Sequence, residues 1–299
     1  MNLQQLRYAV ALADELHFGR AARRAGVQQP PFSQQIRRLE NELGVTLFER
    51  TTRHVRLTPA GEAFVIEARR ALTHLEAAAQ AAGRVGRGET GRLMIGFVGS
   101  AVNQALPPVL RRYRSRYPGV DLELRELTTA QQVEELIQGR LDIGVLRAPI
   151  AGPRQTALTT ITVARERFVV ALPIRHPLSA REHVPLPALA ADAFVLPPRS
   201  LGPGFHDQIT RMARAAGFEL RVVQEAVQMQ TIVGLVAAGI GVSIVPESVG
   251  RLHRDDVVFR PLTPLTRAVT LDLAWRRDDA SPLVRNFREM FAPAGSQAG

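Results

Sequence analysis

The chain has no cysteine among its 299 residues. Disulfides, thiolate zinc sites and cysteine nucleophiles are thereby excluded. Lysine is absent as well, so all 38 basic residues are arginine. Against 28 acidic residues this leaves a formal net charge of +10. Such a balance suits an anionic partner, whether nucleic acid or a small acid, although GC-rich coding also favours arginine over lysine. No apolar run reaches the roughly 18–20 residues that a membrane span requires, and no membrane partner is expected. The N-terminal stretch carries Asp14 and Glu15 and lacks the apolar core of a secretion signal, so a cytoplasmic location is expected. Missing too are a G-x-S-x-G elbow, a P-loop and an H-E-x-x-H pair. The seven histidines, at 17, 54, 74, 176, 183, 206 and 253, show no metal-ligand spacing. Neither catalysis nor a cofactor or metal is expected, and of these histidines only His206 falls beside a candidate binding cleft.

What is present reads as a soluble globular chain, 45% hydrophobic and 22% charged, with length for about two domains. Leu3, Leu6, Val10 and Ala13 recur at helical spacing, and Phe18, Ala21, Ala22 and Ala25 do so again before Gly26. Pro30 and Pro31 then open a third helix, where missing N–H groups cost nothing. Phe32, Ile36, Leu39 and Leu43 form its apolar face, and Gly44 ends it. Ser33, Gln34, Arg37, Arg38 and Asn41 occupy the opposite face. Two short helices around a glycine-containing turn fit a helix-turn-helix. Gln and Arg on the exposed face of the second helix could read adenine, guanine or phosphate; an ordinary three-helix core with a solvated face has the same pattern. The segment LFERTTRHVRLTPAG adds two short strands with Arg50, Arg53 and Arg56, a basic hairpin placed like a wing. Residues 1–58 hold nine arginines and five acids, a net +4 on a small domain.

This whole stretch, from NLQQLRYAV to LTPAGEAF, closely resembles the N-terminal domain of LysR-type transcriptional regulators. The resemblance implies a winged helix-turn-helix over 1–58 whose second helix enters the major groove. It implies that Gln29, Pro30, Pro31, Ser33 and Gln34 approach bases or phosphates, with Arg37 and Arg38 on the same helix and Arg53 on the wing. Many members carry arginine at the position of Gln34, so a phosphate or guanine contact there is absent or replaced by a Gln–adenine contact. Double-stranded DNA with an inverted-repeat site is the implied partner, and RNA polymerase a further one.

Thr58 is placed to cap the next helix, with Pro59 and Glu62 in its first turn. Phe64, Ala68, Ala71, Leu72, Leu75, Ala79 and Ala82 make an alanine-rich stripe that a second helix could approach closely. The glycine-rich GRVGRGETGRL that follows reads as a flexible hinge. Residues 59–91 are therefore expected to be a dimerisation helix and linker, giving a homodimer or homotetramer, as the resemblance implies; packing on its own domain is the other reading.

From Arg92 the pattern turns to alternating strand and helix, which predicts parallel sheets covered by helices on both faces. Ligands of such sheets bind beyond the carboxyl ends of the strands. Ser100 and Thr129 each follow a strand and precede a helix, and Arg147 closes a third strand. Hydroxyls beside helix N-termini with a guanidinium nearby form an anion site; plain N-capping is the alternative for both hydroxyls. FVGS, LIQGRLDIGVLR and GLVAAGIGVSIVPES resemble the effector domain of the same family. The fold implied is α/β behind an N-terminal all-α winged helix-turn-helix, with an effector domain of two Rossmann-like lobes as in periplasmic binding proteins. Residues 92–164 and 268–299 would form lobe I and residues 165–267 lobe II. HFGRAA, QQPPFSQQI and IGFVGS look most like the subgroup sensing aromatic-catabolism intermediates such as muconate and benzoate. There the hydroxyls matching Ser100 and Thr129 hold an effector carboxylate and an aromatic residue matching Phe205 lines the cleft. An arginine used by part of the subgroup for a second aromatic-acid site aligns with Ala164. A small organic-acid effector is the expected ligand.

Overall fold

Local capping sets the first three helices. In the computed structural model, which describes residues 1–50, 54–150, 152, 156–264 and 268–291, α1 spans Leu3–Glu15 and opens on a reciprocal capping box between Asn2 and Gln5. Its buried face is Gln5, Tyr8, Ala9 and Leu12. The stripe expected from spacing, Leu3 to Ala13, lies beside this face, with Leu3 38% exposed. Tyr8 decides the difference by meeting the Phe32 ring at 4.6 Å. His17 caps α2, Phe18–Arg24. Gly26, at φ 71°, turns the chain toward α3, Gln29–Leu43, and Gly44 ends α3 at φ 68°; both need the left-handed region that glycine enters freely. Phe32, Ile36 and Leu39 are fully buried.

Strands β1, Phe48–Arg50, and β2, Val55–Leu57, pair antiparallel as the wing. Glu40 of α3 holds its base by accepting the Leu47 and Phe48 N–H groups at 3.0 Å. The other oxygen of Glu40 takes Arg50 at 2.5 Å, and the Arg50 guanidinium lies 4.9 Å from the Phe18 ring centroid. Arg50 is thus turned inward and locks the hairpin, in place of the outward wing contact expected. The wing tip, with Arg53, lies outside the described residues.

Thr58 caps α4, Pro59–Gly86, by accepting the Gly61 N–H at 2.9 Å. A side chain at Gly61 would collide with the Leu47 carbonyl, so glycine lets the helix sit against the strand. Arg69 ties α4 to Asp14 of α1. Only Gly61, Val65 and Ala68 of this helix are buried. The glycine-rich stretch expected to be a hinge is helical to Gly86, turns at Gly88 with φ 66°, and is extended from Thr90. The chain divides into two compact units, Met1–Arg84 and Val85–Gly299.

The second unit has two lobes. One holds a five-stranded sheet in the order β4-β3-β5-β13-β6, from β3 Thr90–Phe97, β4 Gly119–Glu126, β5 Ile143–Ala148, β6 Leu158–Glu166 and β13 Val269–Arg276. Helices α5, Leu106–Arg116, α6, Thr129–Ile137, and α9, Pro282–Glu289, belong with it. The other lobe holds β7 Phe168–Pro173, β11 Ser243–Pro246, β12 Val257–Thr263 and the short β8 Val184–Pro185, in the order β11-β7-β12-β8. Beside them β9, Ala193–Leu196, pairs parallel with β10, Arg221–Glu225. Helices α7, Pro203–Ala215, and α8, Met229–Ala237, complete it. The sheets are mixed, where parallel ones were expected: β13 runs antiparallel to both β5 and β6, and β7 is antiparallel to β11 and β12. The chain passes between lobes from β6 to β7 with only Arg167 between them, so β7 is entered without the crossover helix that a parallel pairing with its predecessor would need. Strand β6 was not anticipated; it is an edge strand with several exposed positions.

Candidate functional site

A small cavity of about 70 Å³ opens between the two lobes. Ser100, Thr129, Arg147 and Phe205 all line it. Ser100 and Arg147 are almost fully buried, 5% and 4% exposed. The walls are completed by apolar Leu127, Leu201, Val227 and Met229 and by polar Thr128 and Gln228, none of which sequence reasoning had named. Their signal was weak: each sits in a connecting segment or a helix start, where residue type alone does not separate lining from solvation.

The arrangement of the polar groups differs from the expected one in three respects. Ser100 is not at the start of α5. It lies in a single 3-10 turn, Gly99–Asn103, and α5 begins only at Leu106. Thr129 is the first residue of α6, but the cap is its neighbour Thr128, in a capping box with Gln131. Thr129 is thereby freed from capping, and its Oγ1 accepts the Arg147 backbone N–H at 3.2 Å. Finally, the Arg147 guanidinium is not a free cation. It pairs with Glu166 at 2.8 Å, and both side chains are at least 90% buried.

Arg147 also donates from Nε and Nη2 to Ser100 Oγ, at 3.3 and 3.0 Å. Two donors occupy both lone pairs of that oxygen, so the hydroxyl hydrogen has to point elsewhere as a donor. The cavity floor therefore presents two hydroxyls, and α6 adds the first-turn N–H groups that a helix leaves without internal partners. These are groups for an acceptor-rich, anionic ligand end. Glu166 accepts the Ser248 N–H at 2.9 Å through its second oxygen. Ser248 lies in the turn Glu247–Leu252 after β11, so this network joins the cavity floor to the opposite lobe. Burial pushes the Glu166 carboxyl up, but Arg147 and Ser248 outweigh it and hold it below the usual range. Burial lowers the Arg147 pKa while Glu166 opposes this; a guanidinium stays protonated in either case.

The Phe205 ring packs on Phe168 in a tilted pair, with 5.7 Å between centroids and 45° between planes. It is placed by Gly204, where a side chain would collide with the Pro149 carbonyl. Gln208 of the same helix donates to the Ala148 carbonyl at 3.0 Å, holding α7 to the end of β5. His206 is not in the cavity wall; its Nδ1 lies 3.4 Å from the Thr210 hydroxyl. Ala164 sits in β6 opposite Leu271, against the apolar core. Among the described residues no group of three His, Cys, Asp or Glu could hold a metal ion.

On α3, Gln29, Pro30, Ser33, Gln34 and Arg37 form one shallow concave surface. All are exposed except half-buried Ser33. Arg37 has no ion-pair partner among the described residues, whereas Arg38 is held by Glu42 at 3.0 Å. Pro31 and Arg38 are exposed but stand outside that surface.

A winged helix-turn-helix with an open polar face, followed by a two-lobed α/β domain enclosing a cavity, defines a ligand-responsive DNA-binding regulator. Residues 3–62 match the bacterial regulatory helix-turn-helix of the lysR family, and residues 86–295 match the LysR substrate binding domain. The chain belongs to the LysR family of transcriptional regulators. It is 42% identical to the HTH-type transcriptional regulator AlsR of Bacillus subtilis (strain 168), over 96% of this chain and 94% of that protein. With the HTH-type transcriptional regulator IlvR of Caulobacter vibrioides it shares 38% identity over 99% of both chains. Among solved structures it resembles CbnR, a LysR family transcriptional regulator, at TM-score 0.83 and 29% identity, covering 98% of this chain and 100% of that one. The full-length CbnR complex with its target DNA aligns at TM-score 0.80 and 28% identity, over 97% and 98% of the two chains. The relatives are named as transcriptional regulators, and the chain is a DNA-binding regulator with an effector-binding domain, not an enzyme. No helix among the described residues is long and apolar enough to cross a membrane.

Proposed function

We propose that this regulator binds an inverted-repeat promoter site as a homodimer or homotetramer and is controlled by a small organic acid, an intermediate of aromatic catabolism. The observation that carries the ligand class is the pair of outward-donating hydroxyls, Ser100 and Thr129, fixed by Arg147 on the cavity floor. A carboxylate gains charge-assisted hydrogen bonds there that a neutral ligand does not. The apolar walls around Phe205, Leu201 and Met229 suit a compact unsaturated body. Ser100, Thr129, Arg147 and Phe205 are the effector residues in this reading.

The concave face of Gln29, Pro30, Ser33, Gln34 and Arg37 supports its role in reading the major groove, with Pro31, Arg38 and the wing residue Arg53 near the backbone. Residues 59–91 carry the oligomer contact: Leu75 of α4 is 50% exposed in the single chain and shares an apolar stripe with exposed Ala71, Ala79 and Ala82 that a second copy would cover. Effector binding shifts the population between conformations that differ in promoter engagement, and contact with RNA polymerase follows at the promoter. A thermal-shift screen of aromatic and aliphatic acids tests the ligand class. Carboxylates should raise the melting temperature through native-state binding, and a rise with uncharged compounds alone contradicts the reading.

A further inference from the structure

A polar side chain stands where the packing of α6 asks for an apolar one. The buried face of this helix is Thr129, Gln132, Val133 and Leu136. Val133 and Leu136 pack with Leu141, Leu146, Leu158 and Ala274, and Gln132 beside them is fully buried. Room for it comes from two glycines paired across the sheet, Gly96 of β3 and Gly144 of β5. A Cβ at Gly96 would stand 3.0 Å from Cγ of Gln132, and one at Gly144 would stand 2.9 Å from its Oε1. In this slot the side-chain amide donates through Nε2 to the Leu127 carbonyl at 2.9 Å. Its Oε1 is buried and has no hydrogen-bond partner among the described residues. Such an unpaired oxygen is costly, and a methionine of similar shape would avoid the cost. The bond to Leu127 is what the amide supplies and an apolar residue could not.

Leu127, Thr128 and Thr129 all line the effector cavity, and Gln132 does not. The Leu127 N–H is tied to the Phe97 carbonyl at 3.0 Å. With its own carbonyl held by Gln132, Leu127 is fixed on both sides, and the planar peptide that joins it to Thr128 is fixed with it. That peptide sets the direction in which α6 starts, and so the place of the Thr129 hydroxyl. We propose that Gln132 is a positioning residue for effector recognition. It touches no ligand; it holds Leu127, Thr128 and Thr129 in the geometry that receives the acid. The assignment rests on the organic-acid reading above. Gly96 and Gly144 belong to the same device, since side chains there would crowd the amide out of its slot.

Three measurements on the full chain compare the wild type with Gln132→Met. Calorimetry with benzoate and with muconate should show affinity about tenfold lower in the variant, the effect of one lost ordering hydrogen bond. The thermal unfolding midpoint should stay level or rise, because the unpaired buried oxygen is gone. Hydrogen exchange without ligand should quicken over residues 126–131 while the rest of the effector domain is unchanged. Equal affinity in wild type and variant overturns the assignment. So does a loss of affinity that comes with a lower midpoint and general deprotection, which is what a merely structural role produces. Failure of both acids to bind the wild type overturns instead the organic-acid reading beneath it; exchange over residues 126–131 then still decides whether Gln132 holds the segment, and unaltered exchange there overturns that role.

Discussion

The guanidinium of Arg147 spends two of its N–H groups on the hydroxyl oxygen of Ser100, at 3.3 and 3.0 Å. The bond fixes which way the hydroxyl proton points, so Ser100 acts on a ligand only as a donor. Removing the oxygen has two separable effects. Ser100→Ala leaves two buried N–H groups without their acceptor, at a cost of about 1–3 kcal/mol, and deletes a ligand contact. Thermal unfolding should show the first effect and calorimetry with an organic acid the second. An unchanged melting temperature would mean that Arg147 finds another acceptor.

The Arg147–Glu166 pair makes stability depend on acid pH. Glu166 sits below the ordinary glutamate range in the folded chain. Its contribution is complete above the unfolded value of about 4.3 and is lost as pH falls through the depressed folded value. Urea midpoints of the wild type should therefore drop more steeply below that point than those of Glu166→Gln. At neutral pH Glu166→Leu, which strands a buried guanidinium, should cost about 3–5 kcal/mol. Parallel pH profiles for wild type and Glu166→Gln contradict this account of the pair.

The same pair shows where sequence reading stops. Arg147 and Glu166 lie on β5 and β6, with β13 between them. Arg147 is opposite Leu271 and Glu166 opposite Val269, so closure of the sheet by a strand more than a hundred residues later brings the charges together. Nothing in the local spacing of either residue announces that contact. The helix-turn-helix was legible for the opposite reason: Gly26, Pro30, Pro31 and Gly44 set the limits of α3 locally, and Phe32, Ile36 and Leu39 repeat at helical spacing. Strand β6 escaped notice because its edge position leaves Thr160, Ile161 and Thr162 exposed in succession, so the run shows no alternation of buried and exposed residues. The cavity residues Ser100 and Thr129 were found from their strand ends, but the capping role fell to Thr128, a distinction that hydrogen bonds alone reveal.

Gln29 and Arg37 should separate sequence reading from backbone binding. Gln29→Ala is expected to cost about 1–3 kcal/mol on the specific site and to relax base choice. Arg37→Ala should weaken binding to all DNA and reduce the salt slope by about 1. Arg38, held by Glu42, should contribute less to that slope. Anisotropy titrations over a range of salt check all three, and equal loss on specific and random DNA for Gln29→Ala would remove it from base reading.

Leu75, half exposed on α4, should lie in the subunit seam. Leu75→Asp places a charge where association would desolvate it, so light scattering should report dissociation or aggregation. An unchanged oligomer moves the interface elsewhere.

The central claim is that an organic acid acts through the hydroxyls of the effector cavity. Nuclease footprinting of the promoter, with and without benzoate, tests it most directly when run on the wild type, Thr129→Val and Thr210→Val. Thr129 lines the cavity, whereas the Thr210 hydroxyl is spent on the His206 carbonyl within α7 and stands outside the cavity wall. The account predicts that benzoate changes the footprint of the wild type and of Thr210→Val, but leaves that of Thr129→Val as it is without ligand, all three still occupying the site. A Thr129→Val footprint that responds to benzoate as the wild type does would contradict it.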